Sequence, residues 1–430
     1  MYLRKMMGAD NVMSKFLNHP LTLVDRTQTH PCFTCGKENV KYARMHLPVA
    51  PRCNIQCNYC VRKFDCPNES RPGVTTKVLI PDEAFAKFKQ VKKDIKNLTV
   101  VGIAGPGEAL ANFPAVEKVL TLIRKKDPDI TFCLSTNGLM LPVYAQRLIE
   151  LGVSHVTITI NAVDPKIGAQ IYKYVHYMGR LYKEESAAGI LLGNQLSGLK
   201  YLSTHGVICK VNIVMLKGIN DHHIEIVVKT VKKLGAFITN IMQLIPVEGS
   251  AFEKLPLVSN REIMKMRQQC GIYVAQMMHC RQCRADAIGT LDQDVSMKYY
   301  REQPHFPRIQ SGIPHTSQNG SSRVAVATRS GVWIDQHFGE AKELYIYESN
   351  GKEVHFIERR NIEQYCHTEN GCDTAGDRID KIINSIQDCQ AVLSLRIGEV
   401  PLEKLKQKGI TSIMLYDNIE NGIKKALLQV

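Results

Sequence analysis

The stretch ARMHLPVAPRCNIQCNYC, residues 43–60, joins a strand-like run to a loop that contains three cysteines. Residues 43–50 run into a turn-forming segment and predict a β-strand. The cysteines that follow, Cys53, Cys57 and Cys60, have the spacing C-x3-C-x2-C. A [4Fe–4S] cluster takes one ligand per iron, usually a thiolate, so three cysteines leave one iron open. Because catalytic metal sites keep one coordination position for substrate, the stretch predicts a catalytic cluster at the end of a strand.

The residues that follow alternate between strand-like and helix-like segments. The strand-like runs are 43–50, 98–104, 131–135, 155–160, 208–215 and 238–245. The segment 113–126 is one of the helix-like segments, and its apolar residues recur on one face: Val116, Val119, Leu120 and Ile123. Six β/α units in succession predict an α/β protein with a partial (β/α)6 barrel of the TIM type, which occupies residues 43–300 together with a C-terminal extension.

A second domain is predicted beyond the barrel. Residues 301–322 are rich in Pro, Ser, Gly and Gln, which is typical of a linker. Strand and helix signals resume in residues 323–430 and predict a smaller α/β domain of the ribonuclease H-like type. Residues 1–42 precede the barrel and are predicted to supply further cluster ligands.

Composition narrows the class of protein. The 430 residues, 44% of them hydrophobic, suffice for two or three domains with cores. Neither a signal-peptide-like start nor an apolar run of membrane-spanning length occurs, so we expect a soluble cytoplasmic protein. Fourteen cysteines in such a protein favour metal ligands over disulfides. Residues 1–300 carry a net charge of +15 and residues 301–430 a net charge of −1, which fits either a solvated basic surface or attraction of anions.

Polar turns follow three further strands and should lie beside the cysteine loop. They are GPGE (105–108), STNG (135–138) and NAVD (161–164). In β/α barrels the loops at the carboxyl ends of the strands form the active face. A zinc knuckle completed by Cys66 or a histidine is the alternative interpretation of the cysteines, and the order of loops favours the cluster. Cys209 and Cys270 are predicted to be core residues.

The cysteine spacing, with Tyr59 before the last cysteine, resembles the signature of radical S-adenosylmethionine enzymes. In that superfamily the open iron is chelated by S-adenosylmethionine, and one electron from the cluster yields a 5′-deoxyadenosyl radical. The resemblance implies that the three cysteines hold this [4Fe–4S] cluster. It also implies contacts with S-adenosylmethionine for residues in the polar turns: Gly105, Gly107, Glu108, Ser135, Asn137 and Asn161.

The wider pattern resembles the NifB family of nitrogenase iron–molybdenum cofactor maturases. The motifs that carry this resemblance lie in order over residues 29–290: HPCF, ARMHLPVAPRCNIQCNYC, KFDCPNESRPG, VGIAGPGEAL, TITINAVDP, VNIVMLKGIND, QLIP and HCRQCRADAIG. The second domain, with VAVAT and DQHFGEA, is similar to the small cofactor-carrier (NifX-like) domains of the same pathway. The resemblance therefore covers nearly the whole chain.

This family resemblance implies two more [4Fe–4S] clusters, which serve as substrates. The implied ligands of one are Cys66, Cys280 and Cys283, and those of the other are His30, Cys32 and Cys133. The implied reaction, of lyase or transferase type, uses two molecules of S-adenosylmethionine. One methylates a cluster sulfide and the other removes a hydrogen from that methyl group. The two clusters then fuse, with an added sulfur, into an eight-iron core around a carbide.

Several residues keep two interpretations. Glu69, which with Cys66 is a catalytic candidate, either assists proton removal or cluster transfer or pairs with Arg71. Cys35 is an alternative to Cys32 as the N-terminal cysteine ligand. In the second domain, His337 is either a capped turn histidine or a transient ligand of the product. Cys366 and Cys372 are further candidates for binding the product there.

The resemblance also implies partners. They are carrier or scaffold proteins of nitrogenase assembly, an iron–sulfur donor protein and an electron donor such as ferredoxin. Neither a membrane nor a nucleic acid is expected as a partner. Two other hypotheses stay open: a different multi-cluster radical enzyme, similar to molybdopterin precursor synthases or acting on peptides or RNA, and a non-catalytic iron–sulfur carrier.

Overall fold

The computed structural model describes residues 22–34, 41–61, 66, 75, 77–280, 283–299, 321–329, 331, 333–351, 353–364, 376–415 and 417–428. The chain divides into two compact units, residues 1–299 and 300–430. Most of the predicted linker and the first half of the predicted N-terminal ligand segment lie outside the described residues. Among the described residues, no helix is both long enough and apolar enough to cross a membrane.

The first unit alternates strands and helices. Its strands are β1 (Ala43–His46), β2 (Ile55–Cys57), β3 (Leu98–Ile103), β4 (Thr131–Thr136), β5 (Val153–Thr159), β6 (Tyr172–Tyr177), β7 (Arg180–Tyr182), β8 (Ile208–Met215), β9 (Ile238–Gln243), β10 (Ala275–Gln276) and β11 (Ile288–Gly289). Its helices are α1 (Leu23–Gln28), α2 (Pro81–Asp94), α3 (Phe113–Lys126), α4 (Leu141–Glu150), α5 (Pro165–Ile171), α6 (Glu184–Thr204), α7 (Ile224–Lys233) and α8 (Asn260–Gly271).

The main sheet confirms the predicted (β/α)6 arrangement. Its strand order is β10-β9-β8-β5-β4-β3-β1-β11, so the six predicted strands are neighbours in chain order. All five pairs among those six strands are parallel. At the two ends of the sheet, β10 pairs parallel with β9 and β11 pairs antiparallel with β1. The carboxyl ends of the six strands therefore share one face, where the cysteine loop and the polar turns begin.

Helix α3 shows how local sequence fixes these elements. It spans the predicted residues 113–126, with a proline in its first turn and three basic residues in its last turn. The four residues predicted to share a face are all buried: Val116, Val119, Leu120 and Ile123. They pack in the main core of the unit together with outward-facing strand residues such as Val101, Leu134 and Ile158.

The opposite side chains of the same strands line a cavity instead of filling a core. Those from the strands include Arg44, His46, Gly102, Cys133, Ser135, Thr157, Lys210, Asn212, Asn240 and Met242. Successive strand residues point to opposite faces, which is why these positions alternate with the apolar core positions. Barrels of this type usually fill the interior with bulky Val, Ile and Leu. The small and polar residues at these positions leave space for a bound group.

A hairpin that sequence reasoning missed supports the cysteine loop. Strands β6 and β7 form an antiparallel pair, and β2, within the cysteine loop, pairs antiparallel with β6. The turn residues Met178 and Gly179 have φ of 48° and 78°, as tight hairpins require. The apolar and polar residues of this segment do not alternate cleanly, so its pattern gave no strand signal.

The second unit confirms the predicted small ribonuclease H-like α/β domain. Its strands are β12 (Ser322–Val326), β13 (Glu343–Ser349), β14 (Val354–Asn361), β15 (Ala391–Ser394) and β16 (Thr411–Met414), and its helices are α9 (Gly376–Ser385), α10 (Glu399–Gln407) and α11 (Ile419–Leu427). The strand order is β14-β13-β12-β15-β16. The first three strands of the unit pair antiparallel, while β12, β15 and β16 run parallel. Helix α11 was not predicted.

Candidate metal centre

Backbone pairing holds the three cysteines of the loop after β1. The register of β2 against β6 sets Cys57 opposite Tyr172. The side-chain amide of Gln56 donates hydrogen bonds to the carbonyl oxygens of Cys57 and Cys60, at 2.9 and 2.6 Å. Cys57 and Cys60 are buried, Cys53 is half-buried, and all three pack in one apolar cluster. The loop thus gathers three thiols against an apolar wall, which fits a bound cluster.

The GPGE turn after β3 is fastened to the cysteine loop. The Gly107 N–H donates to the carbonyl oxygen of Ala50 at 2.6 Å, and the Glu108 N–H donates to that of Arg52 at 2.8 Å. A Cβ atom on Gly107 would lie 2.5 Å from the Arg52 oxygen, so only glycine fits there. Gly105 has a φ of +130°, which favours glycine. The close approach that the glycines permit is therefore to the cysteine loop, and their contact with S-adenosylmethionine stays a prediction.

Glu108 is a buried carboxylate that binds the next polar turn. It accepts hydrogen bonds from Thr136 Oγ1 at 2.5 Å, from the Asn137 N–H at 2.6 Å and from the Leu110 N–H at 3.0 Å. The Nδ2 atom of Asn137 in turn lies 3.9 Å from the sulfur of Cys53. Glu108 therefore positions the STNG turn beside the cysteine triad, and its predicted contact with S-adenosylmethionine stays a prediction.

Asn161, after β5, also has partners within the protein. Its Nδ2 donates to the hydroxyl of Tyr59 at 2.7 Å, and its Oδ1 accepts from the Val214 N–H at 2.9 Å. Burial raises the pKa of Tyr59 well above its usual range, so the phenol stays protonated. Ser135, by contrast, faces the cavity. The structure thus brings the polar turns to the cysteine triad, as the strand order predicts.

Most of the other predicted ligands line the cavity on the inner face of the main sheet. The predicted ligands that line it are His30, Cys32, Cys133, Cys280 and Cys283. No Asp or Glu is among the described residues of its wall. Thiols and an imidazole without competing carboxylates are a donor set that suits iron–sulfur clusters.

Successive side chains of a strand point to opposite faces of the sheet, and this explains why one cysteine in an apolar strand faces the cavity while another does not. Cys133 on β4 lines the cavity, whereas Cys209 on β8 points outward into the main core. Burial raises the pKa of Cys209 to about 12, so this thiol stays protonated and inert. Cys270 also lies in the core, which confirms the prediction for both core cysteines.

His30 presents an unused ring nitrogen. Its ring packs against Phe33 and His155, with centroid distances of 4.7 Å in each case. Nδ1 accepts a hydrogen bond from the Cys32 N–H at 3.2 Å, while Nε2 is buried and has no hydrogen-bond partner. Burial, then the nearby His155 and Lys210, lower the pKa of His30 well below its usual range. A neutral imidazole with an unpartnered buried nitrogen fits a metal ligand.

Cys280 and Cys283 enter the cavity from the segment after β10. The sulfur of Cys283 accepts a hydrogen bond from Arg44 Nη2 at 3.2 Å, and that of Cys280 accepts one from Asn240 Nδ2 at 3.3 Å. Both contacts place a hydrogen-bond donor on the sulfur of a predicted cluster ligand, and hydrogen bonds to sulfur are one means by which proteins tune iron–sulfur clusters.

Cys32 lies close to these two cysteines. Burial raises the pKa of the Cys32 thiol, and the Cys283 and Cys280 thiols raise it further. The charges of Lys210 and Arg44 act in the opposite direction. The three thiols and the two cations are therefore close enough for their charges to interact.

Cys66 lies beside the GPGE turn, where its N–H donates to the carbonyl oxygen of Pro106 at 2.9 Å. Cys280 packs both against the apolar cluster of the triad and against the one that holds Cys32 and Cys133. Cys280 is thus the residue that connects the two groups of thiols. The division into the sets Cys66, Cys280, Cys283 and His30, Cys32, Cys133 stays a prediction.

The zinc-knuckle interpretation requires ligands that converge on a single ion. Within the part of the chain that the structure describes, no three His, Cys, Asp or Glu side chains form such a group, and this holds for the predicted cluster ligands as well as for a zinc knuckle. None of the described cysteines forms a disulfide.

Sequence reasoning missed three basic residues of the cavity: Arg44, His46 and Lys210. His46 Nδ1 lies 2.9 Å from the carbonyl oxygen of Arg284, and burial lowers the pKa of His46 to about 4. A Cβ atom on Gly102 would lie 2.9 Å from the His46 ring, so this glycine makes room for the imidazole. Alternation along strands β1 and β8 was the signal that could have found all three.

Four candidates lie outside the described residues: Cys35, Glu69, Cys366 and Cys372. His337 is described, and its Nδ1 accepts a hydrogen bond from the Gly339 N–H at 3.0 Å. It therefore caps the short turn 338–340, while its role as a transient ligand stays a prediction.

Comparisons with known proteins give relatives over nearly the whole chain. The family model of the radical SAM superfamily matches residues 47–231, and that of "Dinitrogenase iron-molybdenum cofactor" matches residues 321–429. The FeMo cofactor biosynthesis protein NifB of Frankia alni is 39% identical over 93% of this chain and 88% of the relative. Those of Bradyrhizobium diazoefficiens and Klebsiella pneumoniae are each 40% identical, over 94% and 90% of this chain and 87% of each relative.

Proposed function

This chain belongs to the NifB family of radical S-adenosylmethionine proteins, and on that premise we propose that it builds the eight-iron core of the nitrogenase iron–molybdenum cofactor. In this proposal two [4Fe–4S] clusters are the substrates. A carbide derived from S-adenosylmethionine and an added sulfur join them. The observation that carries the proposal is Cys280, which packs against both the cysteine triad and the ligand-lined cavity.

The residues of the cysteine loop bind the resident cluster. Cys53, Cys57 and Cys60 supply three thiolates against an apolar wall, which excludes water. A cluster bound there would supply one electron for cleavage of S-adenosylmethionine. Glu108 holds the STNG turn in place, and the backbone of the GPGE turn fastens the loop. These contacts keep the open corner of the site in a fixed position, which orientation-dependent chemistry requires.

The cavity receives the two substrate clusters. Their proposed ligands are Cys66, Cys280, Cys283, His30, Cys32 and Cys133. Three ligands per cluster leave one iron of each exchangeable, which fusion of two clusters needs. A neutral histidine is displaced more readily than a thiolate, and this suits a product that must leave. Glu69 is the proposed proton acceptor.

The second unit is the proposed acceptor of the product. Because it is part of the same chain, its effective concentration near the cavity is high. The proposed external partners are carrier or scaffold proteins of nitrogenase assembly, an iron–sulfur donor and an electron donor such as ferredoxin. The proposed location of the reaction is the cytoplasm.

Iron counting on the full chain tests the proposal. After anaerobic reconstitution and desalting, three clusters correspond to about twelve irons per chain. The double variant Cys280→Ala, Cys283→Ala should lose about four of them and stop making product, yet still cleave S-adenosylmethionine at the triad. The matched control is Cys270→Ala, which removes a core thiol and should keep the full iron count. A wild-type chain that holds only four irons contradicts the proposal.

The triad itself needs a separate variant, because a non-catalytic iron–sulfur carrier has no use for it. Cys57→Ala should abolish product and the cleavage of S-adenosylmethionine while the irons of the cavity stay bound. If this variant still delivers a competent cluster to an acceptor protein, the chain is a carrier and not the enzyme.

A further inference from the structure

Two buried cations face the cavity among the predicted cluster ligands. Arg44 on β1 and Lys210 on β8 line it, and their relative exposures are 3% and 7%. Little water screens a charge in such a position, so it acts on the groups around it more strongly than an exposed charge does.

Arg44 is held in a fixed position by its own contacts. One end of its guanidinium, Nη1, donates to the carbonyl oxygens of Gly289 and Thr290, and the other, Nη2, donates to the sulfur of Cys283 at 3.2 Å. Asp294 adds a favourable charge interaction. The fork geometry thus directs one N–H group at the sulfur of a predicted cluster ligand.

Lys210, unlike Arg44, lies beside apolar side chains. Its Nζ lies 4.0 Å from the sulfur of Met277 and 5.3 Å from the centroid of the Phe33 ring. In the register of the sheet it pairs with Thr157, whose buried Oγ1 has no hydrogen-bond partner. Its charge acts on Cys32 and on His30, two further predicted ligands. A lysine here adds a compact positive charge close to one predicted thiolate ligand and one predicted imidazole ligand.

We propose that Arg44 and Lys210 form a cationic pair that retains the anionic iron–sulfur substrates in the cavity and raises their reduction potential. This inference rests on the proposed function, because it requires clusters in the cavity. Thiolate-ligated clusters are anions, and a charge at short range in a dry cavity acts strongly on them. Reduction adds negative charge, so nearby cations favour the reduced cluster, and hydrogen bonds to sulfur act in the same direction. Arg44 and Lys210 are positioning residues in this scheme, since they act on how the substrates are held.

The test compares Lys210→Met and Arg44→Met with the wild-type full chain after anaerobic reconstitution. Methionine removes the charge and keeps an unbranched side chain. Lys233→Met is the matched control, since it removes the same charge from an exposed position on α7, the helix that follows β8. Arg44→Lys restores a charge without the fork. The readouts are iron per chain, the rate at which a chelator removes iron from the cavity, the reduction potentials followed by electron paramagnetic resonance, and circular dichroism for the fold.

The expected result is that each methionine variant loses cavity iron to the chelator roughly tenfold faster, or more, because Arg44→Met removes a charged hydrogen bond to the sulfur of Cys283 and Lys210→Met removes a buried charge from the cavity. The potentials of the cavity clusters should shift to more negative values, while the iron of the triad and Lys233→Met stay unchanged. Arg44→Lys should recover the potential and only part of the retention. If both methionine variants fold and match wild type in retention and potential, the inference is wrong although the proposed function stands. If wild type holds only four irons, both are wrong. If the methionine variants do not fold, Arg44→Lys provides the test. Loss of cavity iron at the wild-type rate in this variant would contradict the proposed role of the Arg44 guanidinium, and faster loss of iron would support it.

Discussion

Replacing Glu108 with glutamine tests whether this residue anchors the site or binds its cofactor. The carboxylate accepts three hydrogen bonds while buried to 3% exposure. Glutamine has the same shape but only one oxygen. In the carboxylate, Oε1 accepts hydrogen bonds from the Leu110 N–H and the Thr136 hydroxyl, and Oε2 accepts one from the Asn137 N–H. Whichever way the amide turns, its NH2 group faces a backbone N–H that then has no acceptor.

The cost follows from these contacts. A lost hydrogen bond to a charged acceptor costs about 1.5–3 kcal/mol, and the remaining bonds become weaker neutral ones. The amide is easier to bury than the carboxylate, which offsets part of the loss. We expect Glu108→Gln to lower the free energy of unfolding by about 2–4 kcal/mol. In a unit of this size that corresponds to a fall in Tm of roughly 4–8 °C.

Calorimetry of the full, iron-free chain measures this fall. The single tryptophan, Trp333, lies in the second unit, so its fluorescence follows that unit separately and should melt at an unchanged temperature. The matched control is Glu117→Gln, which removes an exposed carboxylate that pairs with Arg147 at 2.6 Å. An exposed pair contributes little, so its Tm should stay within about 1 °C of wild type. A Glu108→Gln chain that melts like wild type but binds S-adenosylmethionine far more weakly would show that Glu108 is a cofactor ligand and refute the anchoring role.

Three further predictions concern the same unit. Gly107→Ala should lower the free energy of unfolding by about 1–3 kcal/mol and reduce the iron bound at the triad, because the added Cβ would lie 2.5 Å from the Arg52 oxygen. The control is Gly189→Ala, whose Cβ would have no atom within 4 Å and which should stabilise α6 by up to about 1 kcal/mol. Equal changes in Tm for the two variants would contradict this account. Tyr59→Phe should cost about 1–3 kcal/mol in a thermal melt, because Asn161 Nδ2 loses its acceptor, and an unchanged Tm would mean that water replaces the hydroxyl. Burial, with Arg26 and Lys210, lowers the pKa of His155 to about 3, so the unfolded chain takes up this proton first as pH falls. Stability of the iron-free chain should therefore be full above pH ~6.5 and fall towards pH 3 by ~1.4 kcal/mol per pH unit from this group, and His155→Gln should flatten that part of a Tm-versus-pH curve.

Local sequence determined the architecture of this protein. Runs rich in β-branched residues that end in turn-forming stretches predicted all six barrel strands, and the helical period predicted α3. The order of these elements implied a parallel sheet with its polar turns at one face. The spacing of Cys53, Cys57 and Cys60 pointed to an open cluster, because residues so close in the chain must share a loop. These features depend on residues that are near one another in sequence, and such residues carry their own signal.

Only the tertiary structure decided which side chains share the cavity. Cys133 and Cys209 both lie in apolar strands, and a shift of one position decides whether a thiol faces the cavity or the core. The hydrogen bond from Arg44 to Cys283 joins residues 239 positions apart. No local pattern reports such a contact, because strand register and the entry of the segment after β10 create it. The physical reason is that neighbours in the chain set the backbone periodicity, whereas the charge of Arg44 and the sulfur of Cys283 meet only once the sheet has formed and the segment after β10 has packed against it.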